Sequence, residues 1–191
     1  MNTVKKLSLW LVGAALGVIV VIAPAKADDP HNLDIHVSIN ATKSLSVSST
    51  FYNFGALSAS VSSVTATAIT VTNTSGVLIE TYTVQGANAI SDTAGTNWTL
   101  AASTGTDQYT LAAQFSNARP TDADGNWLLD SLTTSAQTCS ASVFGNDTLN
   151  QSGTQVDPVT STTRSLWFRI KTPGTVTDPS AHTATIVLAV L

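Results

Sequence analysis

The sequence has 191 residues, of which 43% are hydrophobic and only 10% are charged, with a formal net charge of −4. Its 8 basic residues are too few to supply the clusters of Lys and Arg that bind a phosphate backbone, so nucleic acid is not an expected partner. The apolar content and the small net charge also exclude a chain that is disordered by composition.

The first residues have the three parts of a secretory signal peptide. Lys5 and Lys6 precede an uncharged apolar run, residues 7–22, which is shorter than the about 20 residues of a membrane-spanning helix. Small residues in 23–27 form a cleavage signature, and we predict that residues 1–27 are removed after Ala27. The protein is then secreted, to the periplasm, cell surface or extracellular space, without a stable membrane span. An uncleaved N-terminal anchor is the alternative.

Residues 28–191 have the composition of a β-protein. Ser, Thr, Val and Asn are abundant, and Glu80 is the sole glutamate. Thr and Val suit the pleated surface of a sheet, whereas helices favour Glu, Lys and Leu. After cleavage, five basic residues stand against twelve acidic ones, for a net charge of −7. We expect one all-β domain over residues 28–191.

The first predicted strand follows the cleavage site. Residues 33–39 alternate apolar and polar side chains without a fault, and the apolar members are Leu33, Ile35, Val37 and Ile39. Because this segment lies next to the new N-terminus, it can leave its own domain and add to the open sheet edge of a neighbour. We therefore predict a partner strand here. The alternative is that it forms the first strand of its own domain.

The middle of the chain contains further strand patterns. An extended stretch ends at residues 51–55, and the β-rich run 64–72 leads into a turn at 73–76. Asn and Gly tolerate the backbone angles of a tight turn, so residues 77–84 are predicted to pair with 64–72 in a hairpin. Another alternating strand has its inward residues at Tyr109, Leu111, Ala113 and Phe115.

Two strands are predicted near the C-terminus, at residues 165–171 and 183–191. In the first of these, Leu166, Phe168 and Ile170 are predicted to point inward, and Trp167, Arg169 and Lys171 outward. An exposed Trp167 would offer an aromatic platform for a sugar ring. Since no segment of 28–191 has helical apolar periodicity, the predicted fold is all-β, an antiparallel, immunoglobulin-like β-sandwich of about 7 to 10 strands.

An acidic loop provides a candidate calcium site. Hard cations bind several oxygens on a tight, glycine-bent loop, and Gly125 supplies the bend. Pro120 and Ser131 stand where the standard loop has its first and last ligands. An Asp-Gly turn between strands is the alternative. The candidate ligands are Asp122, Asp124, Asn126 and Asp130.

Catalytic motifs are absent from the sequence. Cys139 is the sole cysteine, so an intrachain disulfide is impossible; it is interpreted as a buried small side chain or as a thiol that pairs between chains. No cofactor motif and no nucleophile elbow is present, and the histidines His31, His36 and His182 have no metal-ligand spacing. We therefore expect a protein that is not an enzyme and needs no cofactor.

Three short motifs resemble known surface proteins. Phe54-Gly55 after an extended segment, the run 69–76 and Trp98-Thr-Leu100 are similar to motifs of secreted bacterial immunoglobulin-like modules, of the WxL type or of pilin and matrix-fibre subunits. The resemblance covers residues 33–101 and the final strand. It implies a cell-surface role. A second Trp-x-Leu is absent, since Trp167 is followed by Phe168.

The sequence thus predicts an exported structural subunit of a filament, coat or matrix. Its expected partners are copies of itself or other surface proteins. The alternative is a secreted module that binds glycans or surfaces, with a weak calcium site. The two differ in the placement of aromatic side chains, because a glycan platform needs two or more exposed rings on one face.

Overall fold

Short strands form nearly all the regular structure of the described residues. The structure is a computed structural model that describes residues 41–145, 152–160 and 162–191. A single 3-10 helix, Asp124–Trp127, is the one helical element among these residues, and no helix there is long and apolar enough to cross a bilayer. The all-β prediction is confirmed. The strands are β1 Leu45–Val47, β2 Ser62–Val64, β3 Ile69–Asn73, β4 Tyr82–Gln85, β5 Ala89–Ser91, β6 Thr99–Leu100, β7 Gln108–Phe115, β8 Gln137–Thr138, β9 Thr163–Lys171, β10 His182–Ala184 and β11 Val187–Val190.

Eleven strands within the described residues exceed the predicted 7 to 10. The difference arises because three longer extended segments are interrupted, giving β2 and β3, β4 and β5, and β10 and β11 as successive pieces. The predicted signal peptide, residues 1–27, lies outside the described residues. So does the predicted partner strand with Leu33, Ile35, Val37 and Ile39.

The larger sheet has β9 at its centre. Its order is β1-β3-β9-β7-β6, and β2 pairs with β9 beyond the end of β3. All neighbours in this sheet are antiparallel except β6 and β7. The longest ladder joins β7 to β9 and places Leu111 opposite Ile170 and Phe115 opposite Leu166. Two strands that alternate clearly in the sequence therefore form the middle of the sheet.

The C-terminal strands pair with a second segment of the chain. β11 pairs with β4, which also pairs with β8, and β10 pairs with β5. Val187 lies opposite Gln85 and Ala184 opposite Ala89, so the register shifts by one residue between the two ladders. Residues 182–190 thus lie antiparallel to the β4–β5 segment along its whole length.

The predicted hairpin of residues 64–72 with 77–84 is wrong. β3 pairs with β1 and β9, whereas β4 pairs with β11 and β8. The turn does form: Gly76 has a φ of 78°, and the side-chain oxygen of Asn73 accepts a hydrogen bond from Ser75 N at 2.9 Å. It carries the chain from one sheet to the other instead of reversing it within one sheet.

The outer face of β9 is covered, so its predicted exposure is wrong for two residues. Trp167 and Arg169 are each 9% exposed. Trp167 packs with Trp127 and donates its indole N–H to Ser116 O at 2.8 Å, while Arg169 Nε lies 2.6 Å from Asp122 Oδ1. Segment 116–127 supplies these partners from outside the sheet. Trp167 therefore offers no exposed ring to a glycan.

The main core takes side chains from both groups of strands. The predicted inward residues of β7 are buried, as the alternation requires, and Phe115 is fully buried. Its ring centroid lies 6.1 Å from that of Tyr82 on β4, and Val84 on β4 and Phe168 on β9 belong to the same cluster. The strands of both groups are thus held by one shared apolar interior.

Candidate functional site

An apolar groove of about 1150 Å³ lies beside this core and is the candidate functional site. Side chains of β1 and of the inner face of the larger sheet line one side, and those of β10 and β11 line the other. Segment 49–58 borders the groove at the end near β10. We call this space the groove; the lining residues that matter here are Leu45, Val47, Leu111, Ala184, Ile186 and Leu188.

One border of the groove is an open strand edge of β1. Within the described residues β1 pairs with β3 alone. Ser48 N donates to Thr70 O and Thr74 N donates to Ser44 O, both at 2.9 Å, so the even-numbered residues of β1 face β3. Because hydrogen-bonded and non-hydrogen-bonded pairs alternate, the N–H and C=O groups of Leu45 point away from β3. The N–H and C=O groups of Val47 also point away from β3.

The other border is an open edge of the C-terminal strands, which pair only with β4 and β5 in the described part of the chain. Leu191 N donates to Thr81 O at 2.9 Å, so the backbone groups of Leu188 and Val190 point away from β4. Their side chains are half-buried. Among the described residues, the groove therefore has no main-chain partner for the outward N–H and C=O groups on either border, and apolar side chains lie beneath.

The start of β1 adjoins the end of β11. The Lys43 ammonium donates to the Leu191 carbonyl oxygen. Ser44 N donates at 2.7 Å to the buried carboxylate of Glu80. The carbonyl oxygen of the next residue, Thr81, accepts from Leu191 N. Segment 49–58, which follows β1, and residues 179–184, which precede β11, also line the groove. The strands β1 and β11 thus run in opposite directions along the two borders.

Trp98 and His182 close the far end of the groove. Their rings are stacked, with centroids 4.0 Å apart and planes inclined by 16°. His182 Nδ1 lies 2.8 Å from Ser180 O, and Nε2 lies 2.8 Å from Thr96 O. Trp98 also exchanges two main-chain hydrogen bonds with Ala89, which fixes the loop that carries the indole to β5.

A serine, an aspartate and His182 come together at this end, but not as a catalytic triad. Ser91 Oγ donates to Asp178 Oδ2 at 2.6 Å, and both ring nitrogens of His182 contact carbonyl oxygens. A triad needs the imidazole to accept the proton of the serine hydroxyl. Hydrogen bonds from Ser91 and Ser180 lower the pKa of Asp178 to about 2, so this carboxylate serves as a structural acceptor.

Two of the four predicted calcium ligands, Asp122 and Asp130, have protein partners. Asp122 accepts from Arg169 Nε at 2.6 Å and from Ser62 Oγ at 2.7 Å. Asp130 is buried and accepts from Phe144 N and Gln114 Nε2, each at 2.7 Å. Asp124 and Asn126 lie in the 3-10 helix. Within the described ranges, no three His, Cys, Asp or Glu residues form a group that could hold a metal ion.

Cys139 belongs to the main core instead of the surface. Its side chain is 2% exposed, and burial raises the pKa of the thiol to about 12. A thiol pairs between chains only when it is accessible and ionised. The interpretation as a buried small side chain agrees with the structure, and pairing between chains would require exposure of this thiol.

Cys139 is expected to react with a thiol reagent only after unfolding. Because the thiolate is the reactive form and the side chain is buried, we expect the native chain to react at least about 100-fold more slowly than the chain in denaturant. Timed labelling with and without urea at constant pH measures this ratio. A control variant, Ser142→Cys at an exposed position, reacts at similar rates in both conditions. Equal rates for Cys139 would contradict its burial.

The groove was missed in the sequence because its borders come from distant segments. Only the uncharged terminal segment, residues 183–191, indicated part of the groove. Its pattern predicts a strand, but it does not predict that one edge of this strand is open. Comparisons of the chain with models of protein families, with curated proteins and with solved structures give no match. The functional interpretation rests on the geometry of the groove.

Proposed function

We propose that this protein is a structural subunit that assembles by strand donation, in which residues 33–39 of one copy fill the groove of another. The observation that carries the proposal is the pair of open strand edges that border one apolar groove. A peptide that adds to a free edge gains main-chain hydrogen bonds, and pockets beneath it select alternate side chains. Edges left unpaired in solution are sites of association.

The donated segment matches the groove in length and pattern. The apolar residues of 33–39 recur at every second position, as do the apolar groove-lining residues Ala184, Ile186 and Leu188. Residues 33–39 and 184–190 each span about 20 Å when extended. Leu33, Ile35, Val37 and Ile39 would enter the groove, with the polar residues between them facing water. Burying four such side chains contributes roughly 6–12 kcal/mol before the ordering cost is subtracted.

Strand direction distinguishes insertion into the same chain from donation to a second copy. Residues 40–44 alone connect the segment to β1, and the start of β1 adjoins the end of β11. A segment folded back into its own groove would therefore run antiparallel to β1 and parallel to β11. A segment from another copy is free to run the other way, antiparallel to β11 and parallel to β1, and this is the direction that we propose for the donated strand. We call this antiparallel insertion, and propose that it completes an immunoglobulin-like sandwich.

Export fits this role. The predicted signal peptide would deliver the chain to the cell surface, the extracellular space or the periplasm, where subunits meet at high concentration. The low charge of residues 28–191 weakens repulsion between copies. The glycan-binding alternative needs two exposed aromatic rings on one face. Trp167, its predicted platform, is buried, and so is Trp127 beside it.

The proposal is tested on the purified chain of residues 28–191. Light scattering after size-exclusion chromatography and negative-stain microscopy are expected to show large oligomers or filaments. Ile35→Asp places a charge in the apolar groove and is expected to leave monomers with an unchanged circular dichroism spectrum. Ser38→Asp adds the same charge on the polar face and is the matched control. Monomers of the unchanged chain at every concentration would overturn the proposal.

A further inference from the structure

The C-terminal strands offer a guest a short row of inward apolar positions with a boundary at each end. At one end, the ring of His182 occupies the next inward position and is stacked on Trp98 at 4.0 Å. At the other end, the Lys43 ammonium donates to the Leu191 carbonyl oxygen. The half-buried side chains between these boundaries all pack against the main core, and they are Ala184, Ile186, Leu188 and Val190.

The main chain of these residues points toward the guest as well. The N–H and C=O groups of Leu188 and Val190 point away from β4, as described above. On β10, Asp92 N donates to Ala181 O at 2.9 Å, so the same groups of Ala184 point away from β5. In an antiparallel pair, directly opposite residues share one face and both turn their main-chain groups toward the partner or away from it. An inward residue of the guest therefore lies directly opposite an inward residue of the groove.

The donated segment has the matching number of apolar side chains. They are Leu33, Ile35, Val37 and Ile39, and the residues that continue the same spacing are His31 before them and Ala41 after them. A slip of the guest by one residue would turn all four apolar side chains to the opposite face. The registers that remain therefore differ from one another by two residues.

A slip by two residues loses an apolar contact in either direction. In one direction, Ile39 would meet the ring of His182, and the polar His31 would lie opposite Val190. A polar side chain without a partner is costly in an apolar site. In the other direction, Leu33 would lie beyond Val190, outside the apolar row. Only one register places four apolar side chains opposite four.

Side-chain sizes favour the same register. Ala184 is the smallest residue of the row, and in this register it faces the large Ile39, while Ile186 faces the smaller Val37. Large and small side chains that face each other fill the space between strands well. In the slipped registers, Ala184 would face Val37 or Ala41, and part of the space would stay unfilled.

We infer that the donated strand has a single register in the groove, in which Ile35 lies opposite Leu188 and Ile39 opposite Ala184. The groove thereby selects a guest with four alternating apolar side chains and a large one at the Ala184 position. This inference rests on the proposed function and on antiparallel insertion. On the outer face of the same pair of strands, the register places His36 opposite Val187.

The register is tested by disulfide formation on that outer face, in chains of residues 28–191 with His36→Cys and one acceptor cysteine. Val187→Cys is the matching acceptor, and Thr185→Cys and Ala189→Cys are its controls, since all three positions are exposed. The main chain of Val187 faces β4, so its pair with His36 is not hydrogen-bonded. The Cα atoms of such a pair are about 4.5 Å apart, within reach of a disulfide. Those of the diagonal control pairs are about 7–8 Å apart, which is too far.

The chains are assembled under reducing conditions, measured by light scattering, and then oxidised with glutathione disulfide and followed on non-reducing gels. Cys139 is buried and stays in every chain. We expect the chain with Val187→Cys to form a ladder of covalent oligomers at least about 10-fold faster than either control. The pair Asp34→Cys with Ala189→Cys belongs to the same register and is expected to give the same ladder.

The outcomes separate the register from strand donation itself. Faster ladders from the chains with Thr185→Cys or with His36→Cys and Ala189→Cys would overturn the register and leave strand donation in place. Assembled chains in which neither matching pair forms a ladder would also overturn it. Chains that stay monomeric before oxidation, or that form disulfides only within one chain, would reject the proposed function and the register together.

Discussion

Two variants that each fail to assemble alone are expected to form a 1:1 complex when they are mixed. Ala184→Phe fills the groove at a half-buried alanine that faces Ala89 across the β10–β5 ladder, so this chain donates but does not accept. The Ile35→Asp chain accepts but does not donate, because its groove is intact and its segment carries a charge. Each mixed complex has one filled groove and no means of further growth.

Light scattering of the mixture is expected to give twice the monomer mass, against the monomer mass for each variant alone. Thr183→Phe is the control for Ala184→Phe, since Thr183 is exposed and its side chain lies on the opposite face of the strand. That control is expected to assemble like the unchanged chain. A mixture that stays monomeric, while the Thr183 control assembles, would show that the groove and the segment are not partners.

The second large effect concerns the core. Phe115→Ala is expected to lower the free energy of unfolding by about 3–5 kcal/mol, because a fully buried ring is removed from the middle of the larger sheet. Gly153 packs so closely on this ring that an added Cβ would lie 2.6 Å from Phe115 Cε2. Little neighbouring side chain is available at Gly153 to fill the space, so the cavity persists.

Urea unfolding in the Ile35→Asp background measures this change without a contribution from assembly. Phe51→Ala is the matched control: that ring is 70% exposed, and its removal is expected to change stability by less than about 0.5 kcal/mol. Equal midpoints for the two variants would contradict the assignment of Phe115 to the core.

The central strands were predictable because their pattern depends on local burial alone. The sequence predicts strands at 109–115 and 165–171, and the structure has β7 Gln108–Phe115 and β9 Thr163–Lys171. A segment that alternates apolar and polar residues indicates a strand with one buried face, whichever strands it pairs with. The buried inner residues of β7 and β9 were therefore correct before any tertiary contact was known.

The partners of strands and the second face of β9 were not predictable in this way. The turn after β3 indicates where the chain bends, but not that it crosses to another sheet. Arg169 is a charged residue of a type that is mostly exposed. Its burial depends on the ion pair with Asp122, which is distant in sequence. The groove has the same origin, since its borders lie at opposite ends of the described chain. Local patterns do not contain such contacts.

The adjacency of Lys43 to Leu191 gives the proposed assembly a polarity. With antiparallel insertion, each subunit receives a guest that arrives at the Trp98 end of its groove and sends out its own segment at the Leu191 end. Because the guest enters at one end and the donated segment leaves at the other, successive subunits make head-to-tail contacts, and such contacts form an open chain where they do not close into a ring. Such a chain has two unlike tips, one with a vacant groove and one with a free strand, so its growth can be capped at either tip by a different molecule.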